Sequence, residues 1–208
     1  MIIARYPVGP LETNCYHLTC GDSGESVLID PGEFPIEMFR QNKPPALKMI
    51  LLTHGHFDHI GGVREVADRT GAAVAIHHLD APMLEDTFLN GSSFFGPKPG
   101  PIRPDMLFDG GERIEFGRCA LTVLHTPGHT TGGVSFLSET EGTAFVGDVL
   151  FRLSVGRWDL PGGDYRALVR TLREVFSPMP DGMKVYPGHG EPTTIGFERK
   201  YNEFMAEA

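Results

Sequence analysis

Short apolar runs recur along this chain, and they restrict the folds that it can adopt. Each has the length of a strand rather than of a helix, and Gly, Pro and polar residues lie between them. The predicted strands are Ile2 to Tyr6, Tyr16 to Thr19, Val27 to Ile29, Met49 to Leu52, Ala73 to Ile76, Leu121 to Leu124, Val134 to Leu137, Ala144 to Val146 and Lys184 to Tyr186.

Helical patterns are fewer than strand patterns. They cover Val63 to Arg69, Leu79 to Glu85, Tyr165 to Phe176 and the tail from Phe197. Strands come first, and strands and helices then interleave, which predicts an α/β protein rather than an all-β sandwich. Because no linker or internal repeat divides the sequence, we expect a single domain over residues 1–208.

Composition argues against some classes of partner. The net charge of −9 opposes binding to nucleic acid or to anionic lipid, and no Lys/Arg cluster offsets it. No apolar run approaches the roughly 18 residues that span a bilayer, and the N-terminal one is too short for a signal peptide, so we predict a cytoplasmic protein. Cys15, Cys20 and Cys119 are odd in number and are predicted to be reduced thiols.

A dense group of metal-ligand residue types follows one of the predicted strands. His54, His56, Asp58 and His59 come directly after Met49 to Leu52. In an extended segment the first two histidines share a face, and the last two residues lie where the chain turns into a helix. Packing explains such a group poorly, because buried polar groups need partners. Imidazole and carboxylate ligands without thiolate suit Zn, Fe or Mn in a catalytic site.

The same arrangement recurs at three later positions. His129, Asp148 and His189 each follow an apolar run and lie next to Gly. Each therefore stands at a turn where a strand ends, which is where functional side chains commonly lie.

These motifs, in this order, resemble the metallo-β-lactamase superfamily from Leu28 to Gly190. The resemblance implies an αββα sandwich with two divalent metal ions at one edge, between the sheets; Zn is favoured and Fe or Mn stays open. It also implies the ligands: His54, His56 and His129 for the first metal, Asp58, His59 and His189 for the second, and Asp148 as the bridge.

Two further segments narrow the resemblance. Gly147 to Phe151 and Gly156 to Asp164 are similar to the short bacterial members of the glyoxalase II-like hydrolases. That similarity implies hydrolysis of a thioester such as S-lactoylglutathione by a metal-bridging hydroxide, with Asp58 and Asp148 as catalytic residues. The chain departs from these relatives at Trp158 and in its short tail, where Arg199 and Lys200 are the only basic residues after His189.

Several alternatives stay open at the level of sequence. A persulfide dioxygenase would hold one iron on His54, His129 and Asp148, and a non-enzymatic metal-binding protein would keep the ligands without catalysis. A β-lactamase activity is disfavoured, and the oligomeric state is open.

Other residues have weaker patterns. Asp30 resembles a carboxylate that orients metal-bound His. Arg157 and Asp159 are predicted either to form a structural ion pair or to contact substrate. The segment Phe88 to Pro104 is predicted to be an ordered loop that keeps its phenylalanines out of water, either as a cover for the core or as a substrate lid. The histidines predicted not to be ligands are His17, His77, His78 and His125.

Overall fold

Two six-stranded β-sheets pack face to face, with helices on their outer faces, in a computed structural model that describes residues 1–40 and 46–207. In the first sheet, β1 to β3 are antiparallel and β3 to β6 are parallel. Its strands, in spatial order, are β1 Ile2–Val8, β2 Thr13–Thr19, β3 Glu25–Ile29, β4 Ala46–Leu51, β5 Ala73–His77 and β6 Met106–Phe108.

The second sheet is antiparallel except for one parallel pair, β10 with β11. Its strands, in spatial order, are β7 Arg113–Phe116, β8 Cys119–His125, β9 Val134–Ser138, β10 Thr143–Gly147, β11 Lys184–Pro187 and β12 Thr193–Thr194.

The helices are short, and some of them have recognisable caps. Asp164 accepts a hydrogen bond from the backbone N–H of Ala167 at the start of α5, and Gly71 ends α3 in the left-handed region. No helix in these described ranges is long and apolar enough to cross a membrane. The helices are α1 Ile36–Phe39, α2 Phe57–Ile60, α3 Val63–Thr70, α4 Ser92–Phe95, α5 Tyr165–Thr171, α6 Ile195–Tyr201 and α7 Glu203–Glu207, with a 3-10 turn at Ala81–Leu84 and a π-helical turn at Leu172–Phe176.

Apolar residues fill three layers, which explains why the strands are apolar runs rather than alternating patterns. Val27 and Ile29 of β3 face the space between the sheets, whereas Leu28 faces the layer under α3. In β10, Phe145 lies between the sheets and Val146 packs in the layer that contains Leu168 of α5. Strands buried on both faces need apolar side chains at successive positions. The predicted α/β fold and αββα sandwich are confirmed.

The structure differs from the sequence prediction at three strands and two helices. β6, β7 and β12 were not predicted; in β6 only Phe108 is buried, so it lacks an apolar pattern. The predicted helix Leu79 to Glu85 is a 3-10 turn at Ala81–Leu84. The tail forms two helices because Asn202, at the end of α6, is extended.

The prediction that the aromatic rings of the Phe88 to Pro104 loop avoid water is wrong. Phe88, Phe94 and Phe95 are 55%, 54% and 58% exposed. The rings of Phe88 and Phe94 lie 5.4 Å apart between centroids, and the segment contains the short helix α4. Ile102 is the residue of this loop that reaches the core under the first sheet.

Candidate metal centre

The predicted ligands lie where strands of both sheets end. β3 and β4 run parallel, β10 and β11 run parallel, and β8 points the same way as β10 because each is antiparallel to β9. Side chains that follow parallel strands therefore meet at one edge. The strand ends supply Asp30 after β3, His54 to His59 after β4, His129 after β8, Asp148 after β10 and His189 after β11.

One group of three histidines is buried at this edge. One ring nitrogen each of His54, His56 and His129 lies within 4.8 Å of those of the other two. Nδ1 of His56 is 2.9 Å from Nε2 of His129. The three residues are only 2%, 4% and 5% exposed, so water does not fill the space between them freely.

A second group lies beside the first and is more open. Asp58, His59 and His189 also bring their ligand atoms within 4.8 Å of one another. Oδ2 of Asp58 is 3.5 Å from Nε2 of His59 and 3.2 Å from Nε2 of His189. The His189 side chain is 26% exposed and that of Asp58 is 14% exposed, so this side of the centre faces solvent.

Asp148 lies between the two groups and reaches both. Its Oδ1 is 3.4 Å from Nε2 of His59, and its Oδ2 is 3.7 Å from Nε2 of His129 and 3.5 Å from Nε2 of His189. The seven residues that the sequence singles out as metal ligands are thus brought together, and the position of Asp148 suits a bridge.

Unpaired buried atoms indicate that these residues suit cations. Nε2 of His54, Nε2 of His59 and Oδ1 of Asp148 are buried and make no hydrogen bond in the described part of the chain, although the last two atoms lie 3.4 Å apart. Leaving such atoms unpaired is costly, and a divalent ion removes that cost. The donor set contains nitrogen and oxygen atoms without thiolate, as expected for a catalytic Zn, Fe or Mn site.

Hydrogen bonds on the far side of three rings fix which nitrogen faces the centre. Because a carbonyl oxygen only accepts, Nδ1 of His129 donates to Arg157 O at 2.7 Å, and Nδ1 of His189 donates to Leu11 O at 3.0 Å. Nδ1 of His54 lies 3.0 Å from Thr53 Oγ1. In each ring Nδ1 is thus engaged away from the centre, and Nε2 is the nitrogen that faces it.

Asp30 positions the ligand loop rather than joining it. Its Oδ1 accepts from the Thr53 backbone N–H at 2.8 Å, and its Oδ2 accepts from Thr53 Oγ1 at 2.5 Å and from His59 Nδ1 at 2.9 Å. Both oxygens are therefore occupied, although Asp30 also lies within ligand distance of His54 and His59. Its φ of +49° is a strained conformation that Asp tolerates better than most residues.

Two glycines make room for this packing. A Cβ on Gly188 would lie 2.1 Å from Oδ1 of Asp148, and a Cβ on Gly147 would lie 2.4 Å from Oγ1 of Thr53. Gly147 also has a φ of +53°. The Gly beside each predicted ligand therefore allows close approach of the loops as well as a turn.

Burial and charge separate the pKa values of the histidines. Burial lowers the pKa of His56 to about 3. Burial opposes the charge on His59 too, but Asp148 and Asp58 outweigh it and raise the His59 pKa well above its ordinary value. At His189, burial is outweighed by hydrogen bonds to the same two carboxylates, and the pKa rises to about 9. The metal-free centre thus holds protons that a metal displaces.

Arg157 and Asp159 form a bidentate ion pair with each other. Nε of Arg157 lies 2.7 Å from Oδ1 of Asp159, and Nη2 of Arg157 lies 2.8 Å from Oδ2 of Asp159. The two side chains are 50% and 63% exposed. Arg157 contacts the centre through its carbonyl oxygen, which residue type alone does not predict. Arg199 donates to Ser177 O and Met179 O, so it ties α6 to the preceding loop.

Sequence reasoning also missed residues that support the ligands. Thr13 Oγ1 donates to Oδ2 of Asp58 at 3.1 Å. Asp80 is buried and accepts from Thr130 Oγ1 at 2.7 Å and from the Gly132 N–H at 2.6 Å, which holds the loop after His129. The available signal for Asp80 was an Asp shortly after the apolar run Ala73 to Ile76.

Comparison with known proteins settles the family. A model of the metallo-beta-lactamase superfamily matches residues 8–189, a span that contains all seven predicted ligands. The chain belongs to this superfamily. The matched residues also include Asp30 and the ion pair between Arg157 and Asp159.

Members of the superfamily resemble the whole chain. Hydroxyacylglutathione hydrolase GloC from Haemophilus influenzae is 33% identical over 99% of this chain and 98% of its own. The crystal structure of BLEG-1, a B3 metallo-beta-lactamase, is 38% identical over 98% of this chain and 99% of its own, with a TM-score of 0.91. The di-iron-bound form of TTHA1623 is 40% identical over 97% and 99%, with a TM-score of 0.82.

Proposed function

We propose that this protein is a metal-dependent hydrolase that cleaves thioesters such as S-lactoylglutathione. The observation that carries the proposal is the convergence of unpaired Nε2 atoms of His54 and His59 with Oδ1 of Asp148 at one strand edge. Similarity over the whole chain to a hydroxyacylglutathione hydrolase supports the choice of thioester. The cofactor would be two divalent ions, with Zn favoured and Fe or Mn open.

Each predicted ligand has a place in this proposal. The buried group would hold the first ion, the more open group the second, and one carboxylate would contact both. The assignments are His54, His56 and His129 to the first ion, Asp58, His59 and His189 to the second, and Asp148 to both.

Two bound ions would lower the pKa of a shared water from about 15.7 to near 7 and polarise the acyl carbonyl. The chain sets the geometry for this chemistry. Asp30 and Thr53 keep the imidazoles in the tautomer that points Nε2 at the centre, and Thr13 orients Asp58. Substrate would approach on the side of Asp58 and His189, because the histidines of the other group are at most 5% exposed.

The leaving group explains the preference for a thioester. A thiol has a pKa of about 8.5, so its thiolate departs without a proton donor. Glu33 and Lys98 are the titratable groups, other than Asp58, that line the pocket next to the centre, and neither has a hydrogen bond to a ligand among the described residues. The chain therefore offers little to protonate a poorer leaving group.

Metal content and activity on one sample test the proposal. Protein purified without added metal is analysed for metal per chain, for S-lactoylglutathione hydrolysis and for oxygen uptake with glutathione persulfide. We expect two ions and thioester turnover. A single iron with oxygen consumption would assign the persulfide dioxygenase activity instead, and two ions with no turnover of any substrate would favour a non-enzymatic role.

Lactam hydrolysis is a second candidate function. The similarity to BLEG-1 over nearly the whole chain favours it. A chromogenic cephalosporin assayed on the same two-metal sample separates the candidates, since a lactam turned over faster than the thioester would reverse their order.

A further inference from the structure

A pocket of about 300 Å³ opens directly beside the candidate metal centre. The turn between β1 and β2 forms one wall, and the segment after α4 forms another. Asp58 is one of the lining residues, so a molecule that fills this pocket lies against a predicted metal ligand. Its lining includes Leu11, Thr13, Phe57, Asp58, Phe95 and Lys98, with Glu33 on the side of the β1–β2 turn.

The size of the pocket fits the thiol half of a thioester better than a small acyl group. Pockets that enclose most of a drug-sized ligand begin at about 300 Å³. A lactoyl group has only a few heavy atoms, whereas a short peptide thiol has the size that this volume accommodates. Apolar walls such as Leu11 and Phe95 suit the methylene stems of such a peptide.

Two opposite charges line the pocket without pairing with each other. Within residues 1–40 and 46–207, no ion pair includes Lys98 or Glu33. Oε2 of Glu33 lies 3.4 Å from where a Cβ on Gly9 would be, which places the carboxylate against the β1–β2 turn. A cation and an anion held apart on one pocket are complementary to a ligand that carries both charges.

We propose that this pocket binds the thiol half of the substrate as a zwitterionic peptide, with Lys98 pairing its C-terminal carboxylate and Glu33 pairing its N-terminal ammonium group. The inference rests on the proposed function and names the residues that give it specificity. Glutathione has both kinds of charge. The Phe88 to Pro104 loop then acts in recognition through Lys98 and Phe95, whose exposed ring is available to a ligand.

Masking one charge of the substrate at a time tests each pairing. The variants are Lys98→Ala, Lys98→Arg and Glu33→Gln, with Lys200→Ala as the control, because Lys200 lies over the Tyr201 ring and does not line the pocket. The substrates are S-lactoylglutathione, its glycyl ethyl ester and its N-acetyl derivative, and KM and kcat are measured for each.

We expect a crossed pattern. Lys98→Ala should raise KM for the unmodified substrate by roughly fivefold to tenfold and leave KM for the ester unchanged, since the lost partner is already masked there. Glu33→Gln should do the same with the N-acetyl derivative as the insensitive substrate. Lys98→Arg should restore KM, Lys200→Ala should not change it, and kcat should change little.

Other outcomes would overturn either the charge pairing or the proposed thioester hydrolysis, and the two failures can be told apart. Equal KM increases for the masked and unmasked substrates, or no increase, would reject the charge pairing while thioester hydrolysis stands. If the wild-type protein loaded with two metals hydrolyses no thioester, the proposed function fails. Calorimetry of glutathione binding then tests the pocket by itself. Weaker binding to Lys98→Ala than to the wild-type protein would support a peptide site in this pocket, and equal binding would reject it.

Discussion

Replacing Asp30 with Asn should weaken metal binding although Asp30 is not a predicted ligand. The carboxylate now faces three donors: the Thr53 N–H, the Thr53 hydroxyl and the His59 Nδ1–H. A carboxamide has one oxygen and one NH2 group, so in either orientation the NH2 group meets a donor. If the NH2 group faces His59, two N–H donors oppose each other. The imidazole then avoids this repulsion only by moving its proton from Nδ1 to Nε2, which is the atom that faces the centre.

The size of the effect follows from this change of tautomer. Loss of a carboxylate that orients a metal-bound His typically reduces metal affinity or activity by 10- to 100-fold, or about 1.4 to 2.7 kcal/mol. We expect Asp30→Asn to lie at the upper end, because the buried carboxylate holds both Thr53 and His59. The more open group of ligands, which includes His59, should lose its ion first.

Competition against a chromophoric chelator at fixed pH measures both affinities. Asp22→Asn is the matched control, because that side chain is exposed and pairs with Arg118, and neither residue belongs to the centre. Circular dichroism checks that the fold persists. Two ions bound to Asp30→Asn with wild-type affinity would refute the argument that Asp30 fixes the His59 tautomer.

Further predictions concern stability. In the metal-free protein the pKa of His189 is raised to about 9 from an ordinary 6.5, so the folded chain keeps a proton that the unfolded chain releases. The free energy of unfolding should therefore fall by up to about 3 kcal/mol between pH 6.5 and 9, as urea titrations would show, and a flat profile would contradict this. Asp164→Ala removes the cap on the Ala167 N–H and should cost about 0.5 to 2 kcal/mol in the same assay; no loss would mean that water replaces the cap. Phe145→Ala, at a fully buried ring between the sheets, should cost about 3 to 5 kcal/mol, and a cost below 1 kcal/mol would indicate that the core collapses around the gap.

Sequence alone predicted the ligand types of the centre because strand ends mark them. Asp148 and His189 each follow an apolar run and lie next to Gly, and the structure brings them within 3.5 Å of each other. Apolar runs also predicted most of the strands, and the structure explains their lack of alternation by burial on both faces. These features survive in sequence because burial and turn chemistry act on residue type.

Other contacts were not predictable because they use backbone atoms or depend on tertiary position. The His129 and His189 rings are oriented by carbonyl oxygens of Arg157 and Leu11, and every residue has a carbonyl. The aromatic rings of the Phe88 to Pro104 loop were expected to be buried, yet Phe94 and Phe95 pack on each other in solvent. Residue type therefore predicts neither the carbonyl contacts of the two imidazoles nor the exposure of the loop's aromatic rings.

The division of the centre between two sheets has a consequence for how the chain acquires its metals. The loop after β4 belongs to the first sheet, whereas Asp148 and His189 belong to the second and come later in the chain. A growing chain that has produced only the first sheet can therefore offer four ligand side chains, but neither the bridge nor the last histidine. The centre closes only after β11 has been added and the sheets have docked, so complete loading with metal reports the last stage of folding.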